Sequence, residues 1–218
     1  MLKIKIKKSF EGFQLDTEWE VEDGEIAVLF GPSGSGKSLS IRSIAGLEKP
    51  DQGFIEIDQR PVFQSQRGID VPARERNVGY VPQNYALFPH MTIIENIMFG
   101  MKNGHKKNRK SVLLEMLSTV GLIGKQNNYP RQLSGGEKQR AALLRALASN
   151  PRVLLLDEPF SAVDIPVRNI LRAEIRAFLK EWHIPIVLVT HDPEDLEMMA
   201  TKVIEYGESP LNSLSCRA

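Results

Sequence analysis

The segment Gly31-Pro32-Ser33-Gly34-Ser35-Gly36-Lys37-Ser38 has the residue types and spacing of a loop that wraps a phosphate group. Its glycines let the backbone curl until successive N–H groups point inward at phosphate oxygens. A helix that starts near Lys37 adds its positive dipole end to the same cradle. The Lys37 ammonium can reach the outer phosphates of a nucleotide, and the Ser38 hydroxyl can ligate Mg²⁺. The neighbouring sequence fits this reading. Glu25-Ile26-Ala27-Val28-Leu29-Phe30 is a strand-like apolar run before the loop, and Leu39, Ile41, Ile44, Ala45 and Leu47 mark the apolar face of a helix after it.

A phosphate cradle alone hydrolyses nothing. Phosphoryl transfer also needs a metal, a positioned water and stabilisation of charge on the transferring group. Asp157-Glu158 follows directly on the apolar run Val153–Leu156, and ligand sites in open α/β sheets lie at the carboxyl ends of strands. Two adjacent carboxylates are costly to bury unpaired. Asp157 is placed to hold Mg²⁺, directly or through water, and Glu158 to polarise an attacking water. Gln83 follows the run Val78–Val81, where its amide oxygen could ligate Mg²⁺ or water. His191 follows Ile186–Val189 and Thr190, where it could hydrogen-bond a γ-phosphate. Leu133-Ser134-Gly135-Gly136-Glu137 has capping-box spacing, so a helix is predicted to begin there. Two glycines in its first turn bare the backbone N–H groups and make a second anion site, at a cost of up to ~1 kcal/mol each in helix propensity. One nucleotide per chain does not require two cradles; two chains facing each other do.

These residues need a scaffold. Strand-like runs recur at Leu2–Ile6, Ile26–Phe30, Phe54–Ile57, Val78–Val81, Val153–Leu156, Ile186–Val189 and Val203–Tyr206, with helical patterns between several of them. The runs at 153–156 and 186–189 are apolar throughout, as strands buried on both faces should be. The pattern predicts an α/β fold with a mainly parallel central sheet. From Asn84 to Gln132 no strand is apparent. Thr92-Ile93-Ile94-Glu95 is a capping box, and Val112, Leu113, Met116, Leu117 and Val120 mark one helix face, so residues 84–132 read as a helical lobe inserted into the α/β body. The basic stretch Lys102 to Lys110 reads as a solvated loop. Val167, Ile170, Leu171, Ile175, Phe178, Leu179 and Trp182 form a helical stripe of core type. Asp192 with Pro193 should cap and open the next helix.

Composition narrows the partners. The chain has 218 residues, 42% apolar, enough for one large domain with a sizeable core. Lys+Arg 28 against Asp+Glu 27 gives a formal charge of +1, which does not indicate a nucleic-acid-coating protein. The lone Cys216 excludes an internal disulfide framework and favours a reducing compartment. No apolar run approaches the ~20 residues needed to cross a bilayer. If the chain works at a membrane, another polypeptide must hold it there.

Taken in order, Gly-Pro-Ser-Gly-Ser-Gly-Lys-Ser, Val-Pro-Gln, Leu-Ser-Gly-Gly-Glu, Leu-Leu-Leu-Leu-Asp-Glu-Pro, Ser-Ala-Val-Asp and Val-Thr-His-Asp resemble the nucleotide-binding subunit of an ABC transporter, from about Met1 to Tyr206. The resemblance implies the ABC ATPase fold, with an antiparallel β portion at the N-terminus. It implies ATP and Mg²⁺ between two head-to-tail copies. Gly31 to Ser38 of one copy would bind the nucleotide, and Ser134, Gly135 and Gly136 of the other would cover its γ-phosphate. Glu158 would be the catalytic carboxylate, His191 the switch histidine, Gln83 the link from Mg²⁺ to the helical lobe, and Asp164 part of the loop crossing the dimer interface. An aromatic before the phosphate loop would stack on adenine; Phe10 and Phe13 both qualify, with Phe10 favoured.

The stretch Asn84 to Thr92, with Glu95-Asn96-Ile97, is similar to bacterial importer ATPases, which grip a membrane subunit through this lobe. That places the expected permease contact near Phe88, a solute-binding protein in the same system, and the chain itself peripheral at the cytoplasmic face of the membrane. The short stretch before the phosphate loop looks most like the molybdate/tungstate branch. Many members continue into a regulatory β-domain; here the chain reaches only residue 218, so no such domain is expected, and residues 207–218 read as a polar tail. A soluble ABC ATPase acting on DNA or ribosomes is the alternative, but 38–133 shows no sustained heptads and there is one cassette. A kinase or GTPase would leave the Ser134–Glu137 element unexplained, and no Asn-Lys-x-Asp motif is present.

Overall fold

The computed structural model describes residues 1–10, 12–101, 109–161 and 163–207. The chain begins with β1 (Leu2–Phe10), β2 (Phe13–Val21) and β3 (Ile26–Phe30), then α1 (Lys37–Ala45). Next come β4 (Gln52–Ile57), β5 (Arg60–Gln64), the short β6 (Ile69–Asp70) and β7 (Val78–Val81). Three helices follow: α2 (Ile93–Gly100), α3 (Arg109–Thr119) and α4 (Gly135–Leu147). The remainder alternates: β8 (Val153–Asp157), α5 (Ile165–Leu179), β9 (Ile186–Thr190), α6 (Pro193–Met199) and β10 (Lys202–Glu205).

Two five-stranded sheets result. One is antiparallel, in the order β2-β1-β4-β5-β6; the other is parallel, in the order β10-β3-β9-β8-β7. The α/β class, the parallel sheet and the N-terminal antiparallel portion are as the sequence implied. Strands β2, β5 and β6 were not anticipated. In β1 the apolar Leu2, Ile4 and Ile6 turn inward, while Lys3, Lys5 and Lys7 lie opposite Glu20, Glu18 and Asp16 of β2 and pair with them at 3.3, 2.6 and 2.6 Å. These exposed pairs keep one face of the hairpin wet and are worth little individually.

The parallel sheet is filled on both faces. On one side Leu29, Val153, Leu155, Val187 and Val189 pack with Ile41 and Ile44 of α1 and with the antiparallel sheet. On the other Val28, Leu154, Leu156 and Leu188 pack with α4 and α5 through Leu143, Leu171, Ile175 and Leu179. A third core joins Ile93 and Ile97 of α2, Leu113 and Leu117 of α3, and Ala141 and Leu144 of α4. Helix α4 therefore has one face in each of two cores. The stripe expected on α5 is buried at Leu171, Ile175 and Leu179, but Ile170 is 62% exposed. The reason is angular: the buried residues repeat every fourth position, which leaves Ile170 about 100° away on the outer side. Of the basic stretch, residues 102–108 lie outside the described residues, as does the tail after residue 207.

Candidate functional site

Parallel pairing of β3, β8 and β9 brings three carboxyl ends together. The phosphate loop leaves β3, Asp157 and Glu158 leave β8, and Thr190 and His191 leave β9. Gly36 takes a left-handed φ of 96° as the N-cap of α1, and a Cβ there would lie 3.0 Å from Phe13 and from Leu15. Gly31, at φ 151°, leaves no room at all, since a Cβ would meet the Tyr206 carbonyl oxygen at 2.1 Å. These two positions are glycine because the loop's path requires it.

Lys37 is buried, and its Nζ donates to the carbonyl oxygens of Gly31 and Pro32, both at 2.6 Å. Burial holds its pKa below the ordinary lysine value, opposed by the nearby charges of Glu158 and Asp157. The Ser38 hydroxyl donates to Oδ1 of Asp157 at 2.8 Å. Serine and carboxylate oxygens therefore meet beside the cradle, with the exposed Gln83 on the same cleft. Oxygen donors of this kind suit a hard cation such as Mg²⁺.

Glu158 sits at φ 50°, unusual for a non-glycine residue, with its N–H donating to the Val189 carbonyl at 3.0 Å. That turn aims its carboxylate across to His191, whose Nδ1 lies 2.7 Å from Oε1. Strain of this kind at a strand end marks a site where geometry is held for a purpose. The Gln83 amide Nε2 is 3.4 Å from the Ser161 hydroxyl, which itself donates to the Glu158 carbonyl at 2.9 Å. The whole cleft, about 670 Å³, is lined by Phe10, Phe13, the phosphate loop from Ser33 to Ser38, Gln83, Glu158 and His191. Phe10 is 49% exposed, with the Lys8 ammonium 5.3 Å from its ring centre, whereas Phe13 packs partly into the core. Both aromatics thus reach the cleft, Phe10 with the freer face.

Ser134, Gly135, Gly136 and Asp164 are elsewhere. They line a separate recess with Val163, Ile170 and Leu171, and it shares no residue with the phosphate-loop cleft. Ser134 caps α4 in a full capping box: its hydroxyl accepts from Glu137 N–H at 3.3 Å, and Glu137 accepts from Ser134 N–H at 2.9 Å. A Cβ on Gly136 would meet only the Leu171 side chain, Cδ2 at 3.4 Å and Cδ1 at 3.8 Å. Packing within the chain does not demand glycine there.

Residues that reading the sequence missed hold this arrangement. Tyr80 of β7 donates its hydroxyl to Oδ2 of Asp157 at 3.1 Å. Arg172 of α5, wholly buried, binds Asp195 through Nε, Glu194 through Nη1 and Asp192 through Nη2, each at 2.6 Å. Asp195 in turn accepts from Thr190, and Asp192 from Arg168, which also caps the Val163 carbonyl. Two arginines one turn apart on α5 thereby tie the loop after Glu158 to the turn that carries His191. Arg168 and Arg172 lie four apart and Asp192 and Asp195 three apart, but nothing in the sequence says that the two pairs meet.

A family model described as ABC transporter matches residues 15–161. The chain belongs to the ABC transporter family. Its similarity to named members runs nearly end to end. The sulfate/thiosulfate import ATP-binding protein CysA of Synechocystis sp. is 48% identical over 214 residues, covering 96% of this chain and 58% of that protein. The molybdate/tungstate import ATP-binding protein WtpC of Archaeoglobus fulgidus is 39% identical over 202 residues, covering 93% of this chain and 81% of that one. Among solved structures, the dimeric post-hydrolysis state of the ATP-binding cassette MJ0796 bound to ADP and Pi superposes with a TM-score of 0.74 at 30% identity, over 94% of each chain. This ABC family chain spans 58% of the length of the CysA protein from Synechocystis.

Proposed function

We propose that the chain is the ATP-binding and hydrolysing subunit of a membrane importer for a tetrahedral oxyanion. One observation carries the reading: the Ser38–Asp157 oxygen pair, the Lys37 ammonium and the Glu158–His191 pair converge at one cleft, at the carboxyl ends of adjacent parallel strands. Gly31 to Ser38 wrap the phosphates, Phe10 stacks on the base, and Ser38, Asp157 and Gln83 hold Mg²⁺. Bound Mg²⁺ supplies charge neutralisation on the phosphate oxygens. Glu158 orients the attacking water, and His191, held by Glu158, donates to the γ-phosphate.

The second recess completes the site from a second copy. Ser134, Gly135 and Gly136 of one chain cover the γ-phosphate bound by the other, and Asp164 lies in the loop that crosses between them. A cassette similar to this one is dimeric in its ADP- and Pi-bound state, which supports this arrangement. Residues 1–83 and 133–206 act as the ATP-binding core and 84–132 as the helical lobe. The exposed Phe99, packed edge-on against Phe88 with ring centres 4.7 Å apart, offers an apolar contact for permease subunits. No helix among the described residues is long and apolar enough to cross a membrane, so those subunits hold the chain at the cytoplasmic face. A solute-binding protein completes the system. The molybdate expectation widens: sulfate/thiosulfate relatives reach 48% identity against 39% for a molybdate/tungstate one. The proposed cargo is therefore the sulfate-like class of oxyanion dianions.

Lys37→Ala tests the cradle. Equilibrium binding of a fluorescent ATP analogue should weaken by at least about tenfold, as expected for loss of a charge-assisted contact worth roughly 1.5–3 kcal/mol. Unchanged affinity would contradict the assignment.

A further inference from the structure

Asp157 has a donor on each carboxylate oxygen: Ser38 on Oδ1 at 2.8 Å and Tyr80 on Oδ2 at 3.1 Å. The two donors differ in kind. Ser38 is itself a proposed metal ligand, so its hold on the carboxylate belongs to the same coordination sphere. Tyr80 comes from β7, the strand that pairs in parallel with β8, and it lies opposite Leu155, two residues before Asp157. Its half-buried ring packs against the core on the α1 side of the sheet, so the hydroxyl has one direction to point.

An aspartate's last torsion is broad and roughly two-fold, so the carboxylate of Asp157 does not orient itself. Mg²⁺ demands near-ideal octahedral geometry and tolerates little misdirection of a ligand. We propose that Tyr80 is a positioning residue for the metal–nucleotide complex. Its hydroxyl holds Oδ2 of Asp157, so that Oδ1 faces the Ser38 hydroxyl and the metal. This inference rests on the reading that Ser38 and Asp157 bind Mg²⁺ with ATP.

The test uses the full chain and Tyr80→Phe, which keeps the ring in the core. Affinity for a fluorescent ADP analogue is measured in EDTA and at stepped Mg²⁺, and bound Mn²⁺ is followed by electron paramagnetic resonance as a direct metal readout. Tyr80→Phe should match wild type within about twofold in EDTA, while the Mg²⁺ concentration for half-maximal enhancement rises about tenfold, the usual effect of removing an outer partner of a metal ligand. The bound Mn²⁺ signal should weaken in parallel. In an Asp157→Asn background the same substitution should shift the Mg²⁺ half-point by less than about twofold. A wild-type Mg²⁺ response in Tyr80→Phe, an equal loss of affinity with and without metal, or a further tenfold shift in the Asp157→Asn background would each overturn the inference alone. A wild-type chain whose nucleotide affinity ignores Mg²⁺ would overturn the parent reading and this inference with it.

Discussion

Glycine at position 136 is a choice that internal packing leaves open. Its Cβ would make only van der Waals contact with the two Leu171 methyl groups, and alanine is the better helix former by roughly 0.8–1 kcal/mol. Gly136→Ala should therefore leave thermal stability equal or slightly raised. The same methyl would stand where the proposed partner's nucleotide approaches, so ATP turnover should fall at least about tenfold, a loss of some 1.4 kcal/mol in transition-state stabilisation. Stability and turnover measured on one preparation check both signs; full turnover would mean that nothing comes close to that backbone. Residues such as Lys37, Glu158 and Gly136 were legible in the sequence because each breaks a local rule: a lysine in a glycine loop, paired acids after a buried strand, glycine in a helix start. Tyr80 and Arg172 break none. Their partners come from residues 77 and about 20 positions away, and only the fold brings them together.

Capping and strand ends decide where these side chains point. The boxes at Thr92–Glu95 and Ser134–Glu137 both form, as their spacing required. The Ser134 N–H is the chief cause that holds the Glu137 carboxyl below the usual glutamate range. A carboxyl whose folded pKa is depressed contributes its full share above the unfolded value, and loses it as pH falls through the folded value. Glu137→Ala should cost about 1 kcal/mol at pH 7, and the gap to wild type in urea unfolding should narrow below about pH 4. A gap that is constant with pH would contradict the ionised cap. Strand β2 was legible but unread: Leu15, Thr17, Trp19 and Val21 alternate inward against Asp16, Glu18 and Glu20. Strand β5 was not legible, because Pro61 and its short length mask the pattern. Ile170 failed as a core residue because an apolar stripe wider than the buried face has an outer edge. At that edge Ile170 lines the recess of Ser134 and Gly136.

The molecule as a whole divides its chemistry between two places. The glycine-rich loop with Ser38, Gln83 and the Glu158–His191 pair share one cleft, while the Ser134–Gly136 helix tip opens a second that shares none of those residues. Arg168 and Arg172 link the two through α5, since they fasten both the loop before Asp164 and the turn of His191. The most direct measurement is the mass of Glu158→Gln in solution, by light scattering, with and without ATP. The account predicts a monomer without nucleotide, a stable dimer holding two ATP molecules with it, and hydrolysis slowed at least about a hundredfold, some 2.7 kcal/mol on the barrier. A variant that stays monomeric at saturating ATP, beside a wild-type chain that turns over fully as a monomer, would contradict it.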